Sequence, residues 1–401
     1  MRVLKLDKQL DTQPKEVVFC KNCVVSNQRP RIGFDNDCIC SACKYAWRKH
    51  HVINWDQREK ELKALLDKHR SNDGSFDVIV PMSGGKDSGY VAHQLKYVYG
   101  MHPLCVTWAP FIYTDIGWKN FNSFVQSGFD VLSCYLNGRL HRKLARISFE
   151  TLGDAWQPFT YGQKAFALHM SLKFKIPLVF YGENGEVEYG GSTKDADKPF
   201  ETLKDWENIH FKGAGIGKLI RTGIEMGVFN KDEIEDKTFE FYQQPDPGDL
   251  AKFNIRLHWF SYYKKWVPQE NFYYAQKHTN FIANEEGRSE GTYSKYASLD
   301  DKTDGFHFFL AYIKFGIGRA TSDAAHEIRD GHITRDEGVA LVKRYDGEFP
   351  KKYFKEFLDY LGISEEHFWR VVDSWRAPHI WKKVGHGWKL RHNVAGSGAD
   401  D

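Results

Sequence analysis

The sequence predicts an α/β protein built on a doubly wound parallel sheet, with a small cysteine-knuckle segment before it and an α-helical C-terminal lobe after it. Three observations carry this. Between residues 77 and 191, strand-like and helix-like stretches alternate, which argues for parallel strands joined by helices, with ligands at the carboxyl ends of the strands. Two C-x-x-C pairs stand near the N-terminus, and residues 322–375 read as a run of short amphipathic helices.

In chain order, Cys20-Lys21-Asn22-Cys23 and Cys40-Ser41-Ala42-Cys43 form two knuckles with sixteen residues between them. That spacing suits a tetrahedral zinc site: thiolates are soft ligands, and a closed set of four leaves no position open for catalysis. Cys38 is a spare thiol. The same segment is rich in cations (Lys15, Lys21, Arg29, Arg31, Lys44, Arg48, Lys49), which keeps an RNA-contact reading open. A charged helix over 56–69 then leads into the central region.

There, strands are expected at 77–80, 103–107, 130–134 and 177–181, and helices at 87–99, 118–126, 138–152 and 162–174. The first strand, Val78-Ile79-Val80, opens through Pro81 and Met82 into Ser83-Gly84-Gly85-Lys86-Asp87-Ser88. A strand, a glycine turn and a helix start make an anion site, because free amides and the helix dipole both face the turn. No G-x-x-x-x-G-K-[ST] pattern occurs, so this is not the common P-loop. The fourth strand exits into Gly182-Glu183-Asn184-Gly185-Glu186-Val187-Glu188-Tyr189-Gly190-Gly191. Three carboxylates among four glycines suit a magnesium ion that must leave room for water and phosphate; a glycine-rich turn with solvated acids is the plainer reading.

Beyond it, residues 212–218 are glycine-rich and serve equally as a mobile lid or a connection. The aromatic stretch 258–266 reads equally as a stacking surface or a packing layer. His307 reads as a packed or surface histidine. Lys314 and Arg319 flank glycines that would let a backbone approach a ligand. The expected division is 1–70 for the knuckle segment, 71–260 for the α/β domain, 261–390 for the helical domain and 391–401 for a disordered tail.

Composition bounds the function. The chain has 401 residues, 41% hydrophobic and 15% aromatic, enough for two or three domains. A net charge of +3 demands no large nucleic-acid footprint. No apolar run approaches membrane-spanning length and no signal peptide stands at the start, so a soluble, cytoplasmic protein without a membrane partner is expected.

The Ser83–Ser88 motif resembles the S-G-G-x-D-S signature of the PP-loop ATP pyrophosphatases, which have a HUP-like sheet and release pyrophosphate while transferring AMP. The 182–191 stretch resembles the G-E-G-S-D-E-L-F-G-G motif of asparagine synthetase. Gly182, Glu183, Gly190 and Gly191 match it, Glu186 stands for Asp, and Val187 departs from a family acid. With the cysteine knuckles, Glu290–Tyr296 and the Lys314–Thr321 stretch, the whole resembles the N-acetyl sugar amidotransferases of bacterial surface-polysaccharide (O-antigen) and flagellin-glycan pathways. These convert an acetamido group to an acetamidino group.

The resemblance implies ATP, magnesium and zinc as cofactors and an N-acetyl sugar, free or nucleotide-linked, as acceptor. It implies ATP binding by Ser83, Gly84, Gly85, Lys86, Asp87 and Ser88, and zinc on Cys20, Cys23, Cys40 and Cys43. Asp87 and Glu186 would hold magnesium, Glu183 would orient substrate or move a proton, and Lys314 and Arg319 would meet the departing pyrophosphate. Ammonia must come from elsewhere: position 2 is Arg rather than Cys, and no G-x-C-x-G elbow occurs. A separate glutaminase partner, resembling that of imidazole glycerol phosphate synthase, is expected, with a cyclase-like subunit conducting ammonia. The alternatives are a tRNA thiolase, with Cys105 or Cys134 carrying sulfur, and a non-catalytic nucleotide sensor.

Overall fold

The computed structural model describes residues 4–202, 206–235 and 237–394. The expected tail lies outside these from residue 395 onward. Five strands, β1 (Val78–Pro81), β2 (Pro103–Trp108), β3 (Asp130–Cys134), β4 (Leu178–Tyr181) and β5 (Arg256–Trp259), form one sheet in the order β3-β2-β1-β4-β5. Every pairing is parallel: Ile79 of β1 lies opposite Leu104 of β2 and Val179 of β4, and Val179 lies opposite Leu257 of β5.

Successive residues of these strands enter different cores, as the two-residue period requires. Ile79, Leu104, Val106, Val179 and Leu257 pack with Leu144 and Phe166, on helices Gly138–Leu152 and Gln157–Phe174. Val78, Val80, Cys105, Leu178 and Phe180 pack on the other face with Leu62, Leu66 and Val91, from helices Trp55–His69 and Lys86–His93. Where both faces are covered, strands read as continuous apolar runs, which made β1, β2 and β4 visible in the sequence; β3 is an edge strand with Asp130 and Leu132 exposed.

Differences from expectation have local causes. The helix expected over 87–99 is α-helical only over Lys86–His93, and Gln94–Val98 winds as a π-helix. The next helix begins at Asp115 rather than 118, because the Thr114 hydroxyl caps it by accepting from the Gly117 amide at 2.9 Å. Gln157–Phe174 starts five residues before expectation, with Pro158 in its first turn, where a missing amide costs nothing. Half of the glycine-rich 212–218 stretch belongs to an ordered element, since Gly215 caps helix Ile216–Glu225. The aromatic stretch is a packing layer in which Phe260, Tyr263 and Trp266 are buried. Trp266 lies so close to Gly182 that a Cβ there would sit 2.7 Å from the ring.

The C-terminal region holds helices Asp304–Phe315, Arg319–Arg329, Arg335–Tyr345, Phe354–Leu361 and Glu365–Ser374, then a hairpin pairing Trp381–Val384 with Gly387–Leu390. Phe306 and Phe357 stack at 4.0 Å in its core, which also takes in Ala145 and Phe149 from the sheet-covering helix. The cysteine knuckles pack against Phe315, Ile317, Ala324 and Ala325. No described helix is long and apolar enough to cross a membrane.

Candidate functional site

In a parallel sheet the chain leaves neighbouring strands in opposite directions at one point, and a crevice opens there at the carboxyl ends. Here that point lies between β1 and β4. The loop 83–88 leaves β1 and the loop 182–191 leaves β4, so the two glycine-rich stretches become neighbours. They line one cleft of about 700 Å³, in the range of small-molecule sites.

Ser83, Gly85, Lys86, Asp87 and Ser88 line this cleft, and Gly84 supports it from behind. Gly84 has φ +88°, and a Cβ there would lie 2.6 Å from the Phe121 Cα. Only glycine fits the left-handed turn pressed against that backbone. Gly84→Ala is expected to destabilise the protein by at least about 1–2 kcal/mol from the backbone conformation alone, read as a lower denaturant midpoint.

Lys86 pairs with Asp87, and Asn271 donates to the other Asp87 oxygen at 3.0 Å. The Lys86 ammonium also stands 5.6 Å over the Tyr296 ring. Burial, and next the charge of Asp87, push the Glu183 carboxyl up from 4.5 to about 7. Asp300, which the sequence reading passed over, joins the group. Burial raises its carboxyl to about 6, against the pull of the Ser83 hydroxyl, which donates to it. Asp87, Glu183 and Asp300 thus bring carboxylates to the rim of the anion loop, an arrangement suited to a divalent cation shared with phosphate oxygens.

Arg319 also lines the cleft. It begins helix Arg319–Arg329, pairs with Asp323 at 3.0 Å and lies 4.5 Å over the Phe308 ring. Lys314 does not join it. Its ammonium is buried, donating to Asp7 at 2.7 Å and to the Leu152 carbonyl at 2.9 Å. The expectation that Lys314 meets a phosphate gives way to a structural role: Lys314 sits in the last turn of helix Asp304–Phe315, which stops at Gly316 with φ 66°, and Arg319 begins the next helix. Lys314→Met strands the Asp7 carboxylate without a partner and is expected to cost about 3–5 kcal/mol of stability, measured by urea unfolding.

Glu186 lines the cleft, but its oxygens are engaged. Arg31 donates to both, at 2.9 and 2.6 Å, and the Ser192 amide donates at 2.8 Å. Burial opposes ionisation here, yet Arg31 and Ser192 hold the carboxyl below its usual range. Arg29 and Arg31, noted in the sequence only as part of a basic segment, are cleft residues. Both lie between the cysteine pairs. Arg29 donates to the Gly190 carbonyl at 2.7 Å, and Arg31 holds its position at φ 64°. No local sequence signal pairs Arg31 with Glu186, since only the fold brings them together.

The four sulfurs of Cys20, Cys23, Cys40 and Cys43 lie within 4.8 Å of one another, all buried. The Cys40 amide donates to the Cys20 sulfur at 3.3 Å and the Cys43 amide to the Cys40 sulfur at 3.4 Å. Amides aimed at sulfur stabilise thiolate, so the set fits zinc, and a four-thiolate set is closed. Cys38 stands apart, in the left-handed region at φ 61°. Arg329 connects this cluster with the cleft loop, reaching the Cys23 sulfur at 4.0 Å and the Glu188 carbonyl at 2.7 Å.

Residues 290–394 match the family model described as LPS biosynthesis protein WbpG-like, C-terminal domain. The matched region supplies Asp300 and Arg319 to the cleft. The likeness to a lipopolysaccharide-biosynthesis protein is therefore one of this C-terminal region, about a quarter of the chain. No curated protein matches the chain.

Proposed function

We propose that the protein is an ATP-dependent, AMP-forming amidotransferase that converts the acetamido group of an N-acetyl sugar to an acetamidino group in bacterial surface-glycan synthesis. The observation that carries this reading is the meeting, at the reversal of strand order, of a Ser-Gly-Gly anion loop with the acidic exit of β4. The match to a lipopolysaccharide-biosynthesis model supports the glycan context.

An amide carbonyl is a poor electrophile, and ammonia does not replace its oxygen unaided. Transfer of AMP to that oxygen makes a good leaving group, after which ammonia adds and AMP departs. The amides and hydroxyls of the 83–88 loop bind the phosphates, Lys86 and Arg319 offset the charge that develops on pyrophosphate, and Glu183 orients the acceptor. Asp87 and Asp300 would hold magnesium, which supplies charge neutralisation at the phosphates. Glu186 then serves to fix Arg31 rather than to bind metal. Zinc on the four cysteines would organise the loop bearing Arg29 and Arg31. A separate glutaminase, with or without a cyclase-like conduit, delivers the ammonia.

The test is AMP and pyrophosphate release from ATP, with magnesium and ammonium chloride, against a panel of N-acetylated sugars, with mass spectrometry of the product. Acceptor-dependent AMP and a product with oxygen replaced by NH support the reading, and ADP in place of AMP refutes it. The thiolase alternative needs a sulfur carrier beside the nucleotide. Cys105 is buried, its thiol pushed up by that burial, and neither it nor Cys134 lines the cleft.

A further inference from the structure

The same cleft contains a histidine–carboxylate pair outside the phosphate group. His307 projects from helix Asp304–Phe315, and its Nδ1 lies 3.0 and 3.1 Å from the two oxygens of Asp154. Both residues line the cleft. The His307 side chain is 29% exposed and that of Asp154 only 4%, so the carboxylate is the buried anchor and the imidazole the accessible group.

Asp154 is itself held in place. Its Oδ1 accepts from the Trp156 amide at 3.0 Å, its carbonyl accepts from the Ser148 hydroxyl at 2.6 Å, and Lys212 pairs with its Oδ2. Burial alone would keep this carboxyl protonated. His307, Lys212 and the buried Lys314 behind them outweigh burial and hold it well below the usual carboxylate range. A carboxylate on Nδ1 fixes the N–H there and leaves the Nε2 lone pair for proton transfer. Lys314, absent from the cleft, therefore acts on it through Asp154.

We propose that His307 is the proton acceptor for ammonia addition and that Asp154 is its positioning residue. The assignment rests on the amidotransferase reading above. The amide oxygen, once joined to AMP with loss of pyrophosphate, leaves an N-protonated imidate. The lone pair of ammonia forms a C–N bond to the imidate carbon, giving a tetrahedral adduct that bears –NH₃⁺. His307 Nε2 takes one proton from that group. The C–O bond to AMP then breaks, its electron pair leaving with the AMP phosphate, and the amidinium remains. The proton on His307 passes to water, restoring the neutral imidazole. A base is needed because an adduct that keeps its –NH₃⁺ expels ammonia more readily than AMP.

The test is rapid-quench kinetics of His307→Gln, which keeps an N–H for Asp154, with ATP, magnesium, acceptor and ammonium chloride. In the unaltered protein, pyrophosphate and amidine should appear together. In the variant, pyrophosphate should appear as a burst of about one per site, with amidine forming about 10²–10⁴-fold more slowly. Equal slowing of both products, or slowing of neither, overturns the assignment. Should the glutamine variant melt early, His307→Ala assayed with and without imidazole decides the matter. Rescue of amidine formation supports the base, and a folded variant without rescue refutes it. Asp154→Asn should lower kcat with little change in the KM of the acceptor, whereas a role in acceptor binding would raise KM. If the unaltered protein releases no pyrophosphate with any acceptor, the amidotransferase reading itself fails, and this assignment with it.

Discussion

Asp87→Asn is expected to lower acceptor-dependent AMP formation by about 10²–10³-fold, the usual effect of removing one fixed electrostatic group from a reacting centre. The substitution is nearly isosteric and leaves Asn271, which donates to Oδ1 at 3.0 Å, with an oxygen to bond. The loss therefore reports charge rather than shape. A second signature follows from Glu183, whose carboxyl sits at about 7 because of burial first and the Asp87 charge second. In the protein without magnesium or nucleotide, the Asp87→Asn change should therefore move the Glu183 titration below about 7. Pyrophosphate release checks the first expectation, and NMR titration of the Glu183 carboxyl in the ligand-free protein checks the second. A variant with normal activity, or an unmoved titration, removes Asp87 from the centre.

The same shift predicts stability. A carboxyl whose folded pKa lies above its unfolded value binds more protons when folded. Its contribution is complete below about 4.5 and is lost as pH rises through about 7. The ligand-free protein should accordingly lose stability from this group across that window.

Removal of zinc is the other large expected effect. Cys40→Ala leaves three thiolates and unfastens the segment between the cysteine pairs, which bears Arg29 and Arg31. Structural zinc in small domains contributes folding free energy outright. Here a loss of about 3–5 kcal/mol should lower the melting temperature by roughly 10 °C. Metal analysis should fall from one zinc per chain to none, and AMP formation should fall with it, because Arg31 then no longer fixes Glu186. Full activity in a zinc-free chain would show that the cleft does not depend on this loop.

Much of this was readable from residue patterns, and the reasons differ by element. Strands β1, β2 and β4 came within a residue or so because burial on both faces writes apolar runs, whereas half-exposed β3 came from its place in the strand–helix alternation. Strand β5, Arg256-Leu257-His258-Trp259, lacks β-branched residues and runs directly into an aromatic helix, so it merged with the stretch around it. Helix Asp304–Phe315 was missed because Phe306, Phe308, Phe309 and Leu310 leave little polar face to mark a period. The glycine loop and the cysteine pairs were legible because their chemistry lies in adjacent residues.

The rest of the site was not, because it is made by distance. Arg31 meets Glu186 across 155 positions, and His307 meets Asp154 across 153. Lys314 and Arg319 looked alike in sequence, cations beside glycines. The left-handed break at Gly316 puts them on separate helices, one reaching the cleft and the other Asp7.

One consequence concerns synthesis of the chain. The cleft takes Arg29 and Arg31 from ahead of the sheet, its loops from within the sheet, and Asp300, His307 and Arg319 from beyond β5. A nascent chain that has just left the ribosome as far as β5 carries a complete glycine loop but only part of the cleft wall. On the proposed function, nucleotide turnover would wait for residues 300–319 to dock, and a chain cut after β5 is expected to consume no ATP.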